Sequence, residues 1–76
     1  MSEVEFIDIF GDNLQSLMEE RGYTQRALAR ESMISHVTIS RYLSKERMPT
    51  AKSLVNLAFA LECDLDDLVP TYDYVD

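Results

Sequence analysis

The sequence predicts an all-α fold, a compact domain of five helices, on three observations. Apolar residues recur in successive short runs at the 3.6-residue spacing of an amphipathic helix. Thr24, Ser35 and Thr50 each precede such a run, where a hydroxyl can accept from the unpaired N–H groups of a first helical turn. No segment sustains the strict alternation of a half-buried strand.

Phe10, Leu14, Leu17 and Met18 place the first helix over roughly Ile9 to Arg21, and Gly22 supplies its stop. Ahead of it, EVEFIDIF alternates in part and admits a short strand, the first turn of the helix or a dimer arm; we set residues 1–8 apart as an acidic N-terminal arm. Thr24 caps a second helix that ends near Ser32, with Leu28 and Ala29 inward and Arg26 and Arg30 at i, i+4 on the outer face. After the link Met33-Ile34, Ser35 caps a third helix. Its inner side carries Ile39, Tyr42 and Leu43, and its opposite side His36, Val37, Ser40, Arg41 and Ser44. A polar loop from Lys45 to Pro49 leads to Thr50, which caps a fourth helix expected to bury Leu54, Val55, Leu57, Ala58 and Leu61. Asp64, with Asp67 three residues on, opens a last turn through Leu65, Leu68 and Val69 before Pro70. The domain thus spans residues 9–69, and residues 70–76 form an acidic C-terminal tail whose YDYV is as ambiguous as the other end. Methionines and phenylalanines are expected to fill the core.

Composition excludes several classes. With 46% hydrophobic and 28% charged residues the chain reads as one soluble domain, and no apolar run approaches the ~20 residues of a membrane span. MSEVEFIDIF begins acidic and lacks the basic start of a signal peptide, so a cytoplasmic location is expected and no membrane partner. The single cysteine, Cys63, and the single histidine, His36, leave no internal disulfide and no common zinc spacing; no metal and no cofactor are expected. Cys63 follows an apolar helical run and reads as a small core residue. Nor is an enzyme expected: there is no triad and no glycine-rich phosphate loop, and the pairs Glu19-Glu20 and Asp66-Asp67 point different ways on their helices.

Charge is unevenly placed. The formal net charge is -7, yet residues 21–52 hold all seven basic side chains and only two acids, Glu31 and Glu46, a local charge of +5. The flanks hold the other twelve acids and no base. A polyanion meets the facing patch within a Debye length of ~8 to 10 Å, so the local charge, not the total, governs such an encounter.

Two short helices joined by about three residues, the second with a polar outer face, form a helix-turn-helix pattern. Over about Phe10 to Val69 the chain resembles the Cro and lambda-repressor-like helix-turn-helix family, through FGDNLQSLMEERGYTQRALA, ISHVTISRYLS and PTAKSLVNLAFALECDLDDLV. The resemblance rests on Thr24-Gln25 opening helix two, Leu28-Ala29 within it, Ile39-Ser40-Arg41-Tyr42 in helix three, and Pro49 before a leucine-rich fourth helix.

That resemblance implies a sequence-specific binder of double-stranded DNA that regulates transcription, most simply as a repressor, and acts as a homodimer. It implies phosphate contacts for Thr24 and Gln25, a recognition helix from about Ser35 to Ser44 whose His36, Val37, Ser40 and Arg41 face base edges, and a grip on the sugar-phosphate strand by Ser44 and the loop from Lys45 to Arg47. These roles suit the side chains. Arg41 can bond guanine O6 and N7 together, and Val37 can pack on a thymine methyl. The dimer surface is expected at helix five with the terminal arms. Three positions depart from the family pattern: Met33 stands where the turn often has glycine, Lys45 where glycine often follows helix three, and Met18 where helix one commonly has arginine. A left-handed backbone at Met33 costs ~1 kcal/mol. The alternative is a protein-binding module on the same fold, an antirepressor or antitoxin-like partner of a regulatory protein, since fold does not settle function.

Overall fold

A computed structural model of the chain describes residues 1–70, and the YDYV segment of the expected C-terminal tail lies outside the described residues. Five helices follow in order: α1 (Glu3–Arg21), α2 (Gln25–Ser32), α3 (His36–Leu43), α4 (Ala51–Leu61) and α5 (Leu65–Leu68). Among the described residues there is no strand, and no helix is long and apolar enough to cross a membrane.

Helix α1 starts two turns earlier than the apolar spacing alone places it. Ser2 caps it by accepting from the Glu5 N–H at 3.1 Å, and Glu3 and Glu5 put negative charge at the positive end of the helix dipole. Phe6, one turn before Phe10, packs against the core. The segment set apart as an N-terminal arm, residues 1–8, is therefore mostly the beginning of α1. Gly22 ends the helix at φ 69, with the Tyr23 N–H donating back to the Met18 carbonyl at 2.8 Å.

Thr24, Ser35 and Thr50 cap their helices as their positions suggest, each hydroxyl oxygen accepting from the N–H three residues on, at 3.0 to 3.1 Å. At α5 the Asp64 N–H donates to the Asp67 carboxylate at 3.0 Å.

Phe10, Leu14, Leu28, Ile39, Leu57, Leu61 and Leu68 are fully buried, so every helix contributes to one core. Each such side chain stabilises the fold by ~1.5 to 3 kcal/mol relative to exposure. The edge-to-face pair of Phe10 and Tyr42, ring centroids 5.3 Å apart, fastens α3 to α1. Asn13 adds a side-chain bond from α1 to the Leu68 carbonyl at the end of α5, at 3.0 Å.

The last turn of α4 shows how completely local chemistry is answered. A helix leaves its last four carbonyls without internal partners. Here the Cys63 N–H bonds Ala58, the Glu62 N–H bonds Phe59, the Tyr23 hydroxyl bonds Ala60 at 3.0 Å, and the Arg21 Nε–H bonds Leu61 at 2.5 Å. Two of the four partners come from the end of α1 and the turn after it.

The apolar face of α4 is the expected one except at Val55: Leu57, Ala58 and Leu61 are buried and Leu54 packs against the core. Ala60 is buried as well, while Val55 is 54% exposed and Phe59 85% exposed. Small alanines let the helix lie close to the core on that side. Phe59 is thus no core residue, and Met1, Met33 and Met48 are exposed as well, leaving Met18 as the core methionine among the described residues. Cys63 is half-buried against the core; burial, with the Asp67 carboxylate second, pushes its thiol pKa up from the usual 9.0.

Candidate nucleic-acid interface

Helices α2 and α3 form the unit that presents polar side chains outward. Leu28 is the inward anchor of α2, and Ile39 with Tyr42 that of α3. Between them the chain turns at Met33, which ends α2 with φ 60 and ψ 28. The left-handed conformation usually occupied by glycine is therefore kept by a methionine whose side chain is 88% exposed. Buried Ser32 supports the turn by accepting from the Ile34 N–H at 3.3 Å.

With Ile39 and Tyr42 inward, the opposite face of α3 is exposed throughout: His36, Val37, Ser40, Arg41 and Ser44. Val37 is 58% exposed, an apolar side chain in water on an otherwise polar face. Arg41 has no ion-pair partner among the described residues. Thr24 accepts from the helix through its oxygen, which leaves its hydroxyl proton free to donate outward. Gln25 lies beside it, half-buried at the first position of α2. At both helix starts the first N–H groups lack intrahelical partners, as helix geometry requires, and the cap takes one of them. Ser35 instead uses its proton internally, donating to Thr38 Oγ1 at 2.8 Å, so it is a helix cap first.

The far end of α3 departs from expectation. Ser44 directs its single hydroxyl proton to the Glu46 carboxylate, with the Arg41 carbonyl as a longer second acceptor at 3.3 Å. Lys45, left-handed at φ 64, directs its ammonium to Asp8 at 2.7 Å and Asp12 at 2.8 Å, both on α1. Hydrogen bonding to Asp12, then to Asp8, raises its pKa above the usual 10.5. Two of the residues expected to reach phosphate, Ser44 and Lys45, are thus occupied by carboxylates. Arg47 remains exposed and without an ion pair among the described residues. Arg21, counted with the basic stretch, is spent on the end of α4. Sequence reasoning placed no role on Asp8 and Asp12; their i, i+4 spacing was readable, but not that Lys45 lies against them.

Two capped helices, a left-handed turn and an outward polar face on the second define a helix-turn-helix domain. A family model described as "HTH_3: Helix-turn-helix" matches residues 14–68, and the chain belongs to that family of DNA-binding transcriptional regulators. No curated protein sequence matches the chain. Among solved structures, it is similar to an HTH_3 family transcriptional regulator from Vibrio cholerae, with 24% identity and a TM-score of 0.85 over 88% of this chain. The match spans only 38% of that longer protein. It is also similar to the restriction-modification controller protein C.AhdI from Aeromonas hydrophila, with 24% identity and a TM-score of 0.78, covering 82% of this chain and 94% of the other. Both likenesses establish the shared fold.

Proposed function

We propose that this chain recognises a specific duplex DNA sequence by laying α3 in the major groove, and that it acts as a cytoplasmic repressor by occupying an operator. The observation that carries the reading is the exposed Arg41, without an ion pair among the described residues, flanked by Val37 and Ser40 on a helix whose other face is locked into the core. Arg41 reads guanine, Val37 a thymine methyl, and His36 a base edge or phosphate; Ser40 is small enough for close approach. Thr24, Gln25, Arg47 and the free N–H groups at the starts of α2 and α3 hold the sugar-phosphate strands. Ser35 contributes as the cap that fixes the start of α3. Ser44 and Lys45 border the interface, their polar atoms held within the chain.

One such helix reads too few bases for an operator, and a homodimer would present two, about one helical turn or ~10 bp apart. The surface that suits a second copy lies on α4 and α5, where Phe59, Val55 and Leu65 are 85%, 54% and 45% exposed around half-buried Cys63. It shares Leu65 with the expected dimer surface of helix five and the terminal arms, and adds Val55 and Phe59 of α4. The same patch favours the second reading, in which a regulatory protein docks there.

The test is a selection from random duplexes, followed by anisotropy titrations of variants. Arg41→Ala is expected to lose about 1 to 3 kcal/mol on the selected site and to relax the preference at one base pair. Equal loss on selected and random duplexes would sink the assignment. Phe59→Glu is expected to turn a dimer into a monomer by light scattering and to weaken operator binding; a wild-type monomer whose operator binding Phe59→Glu leaves intact would instead support the partner-protein reading of the patch.

A further inference from the structure

The end of α3 nearest α1 presents three groups that the DNA reading does not absorb. Gly11 lies between Asp8 and Asp12 on α1, and a Cβ built there would stand 3.0 Å from the Tyr42 carbonyl oxygen and 3.0 Å from Lys45 Cγ. Helix α1 therefore meets the end of α3 at backbone distance, with the lysine stem laid over the missing side chain. The backbone holds Lys45 in that direction through two bonds that close α3, Lys45 N–H to the Tyr42 carbonyl at 3.1 Å and Glu46 N–H to the Arg41 carbonyl at 2.8 Å. The ammonium then reaches both carboxylates at once, at 2.7 and 2.8 Å.

We propose that Asp8 and Asp12 act as an internal stand-in for DNA phosphate, holding Lys45 off the sugar-phosphate strand and thereby lowering affinity for non-specific duplex. This rests on the DNA reading. Two carboxylate oxygens one helical turn apart offer an ammonium what two phosphate oxygens would, without the cost of bringing two molecules together. An isolated exposed ion pair contributes little. This one is a three-member network whose lysine is aimed by its backbone and whose stem is packed, so the geometry is set before DNA arrives. Its net charge is -1 where the sequence places a lone cation, and the Glu46 carboxylate on Ser44 adds a further anion beside it. A strand passing this end of α3 meets repulsion, while Arg41 and the base-facing side chains are untouched. The consequence falls on sequence-independent affinity, which phosphate contacts supply, more than on base reading.

The experiment measures binding to a random-sequence duplex as a function of salt, using the full chain. Each phosphate contact contributes about 0.9 to the slope of log affinity against log salt. Asp8→Asn with Asp12→Asn frees Lys45, so the slope should steepen by about 0.9, an added ~3.5-fold sensitivity between about 50 and 200 mM salt. Adding Lys45→Gln to that pair should return the slope to the wild-type value. Lys45→Gln alone should leave the wild-type slope unchanged. The control Glu19→Gln with Glu20→Gln, the same charge change at the other end of α1, should not steepen it. The proposal is overturned if the control steepens the slope as much, if the gain persists without Lys45, or if Lys45→Gln alone flattens the slope of the wild-type chain. Failure of the DNA reading looks different: no variant, Arg41→Ala included, then shows salt-dependent duplex binding. Helical circular dichroism and melting of each variant, with the single Lys45→Gln as the least disruptive, keep folding out of the comparison.

Discussion

Tyr23 and Arg21 cap α4 from a distance, and removing their donors tests whether those two bonds hold the helix. Tyr23→Phe deletes the hydroxyl that meets the Ala60 carbonyl at 3.0 Å and keeps the half-buried ring, which packs against the core. A net protein hydrogen bond is worth about 1 kcal/mol, and for a domain of this size that lowers the melting temperature by about 4 to 8 °C. Arg21→Met keeps the aliphatic stem but removes both the donor to the Leu61 carbonyl and a positive charge at the negative end of the α4 dipole. The charge alone contributes about 0.3 to 1 kcal/mol, so a total of about 1 to 2 kcal/mol is expected. Because the two carbonyls are adjacent, the double variant should lose less than the sum, the remaining cap being of little use once the turn has frayed. The assay is thermal and urea unfolding followed by helical circular dichroism. A Tyr23→Phe variant that melts within about 1 °C of wild type would refute the reasoning, since water would then serve the Ala60 carbonyl equally well.

Other predictions follow from the turn and the titrating groups. Met33→Gly should be more stable than Met33→Ala by about 1 kcal/mol in urea unfolding, the reverse of the order inside a helix, because only glycine relieves φ 60 and the 88% exposed side chain gives up little burial. If alanine proves the more stable, the turn is not left-handed in solution. Stability should fall as pH rises past about 9, because Cys63 and Lys45 both have raised pKa values in the fold, and the unfolded chain releases those protons first. Sign and window agree for the two groups: their stabilisation is complete below the unfolded values of 9.0 and 10.5 and is lost above them. Melting temperatures from neutral to alkaline pH check this, and Cys63→Ala should flatten the lower part of the fall.

What the sequence made legible was local. Hydroxyls at Thr24, Ser35 and Thr50 announce the starts of α2, α3 and α4 because a cap acts within one turn, and the inward side of α3 follows from the spacing of Ile39 and Tyr42. The start of α1 was harder, since EVEF satisfies a partial alternation as well as the i, i+4 step from Phe6 to Phe10. In α4 nearly every position from Leu54 to Leu61 is apolar, so periodicity found the centre of the buried face at Leu57, Ala58 and Leu61 but not its edges; the fit of Ala58 and Ala60 against the core left Val55 and Phe59 outside. Of the candidate interface, the exposure of His36, Val37, Ser40 and Arg41 could be read from helical phase. The occupation of Ser44 by Glu46, and of Lys45 by Asp8 and Asp12, depended on how the end of α3 meets α1. A charge count along the chain treats Lys45 as free because its partners lie more than thirty residues away in sequence.

The two positions that stand where glycine is usual share one physical feature. Met33 and Lys45 both hold left-handed backbone where glycine would carry no steric cost, and such strain, of order 1 kcal/mol each, persists only where the surroundings over-determine it. Glycine would keep both turns and supply no side chain. Methionine adds an exposed apolar group along a groove that Val55 and Phe59 also line, extending the α4 patch toward the helix-turn-helix turn. Lysine adds the cation that α1 captures with two carboxylates. Of the three left-handed non-glycine residues among the described ones, Glu62 ends α4, while Met33 and Lys45 mark the two margins of the recognition unit, one apolar and suited to protein, the other anionic on balance and repellent to phosphate. Between them lies the exposed face of α3, on which Arg41 has no ion pair among the described residues, so the margins narrow what a duplex can touch. That ties the Met33 stability order and the Lys45 salt slope to one backbone feature. Replacing Met33 by glycine should ease its turn while weakening the dimer, and Asp8→Asn with Asp12→Asn should remove the discrimination against random duplex at the Lys45 margin.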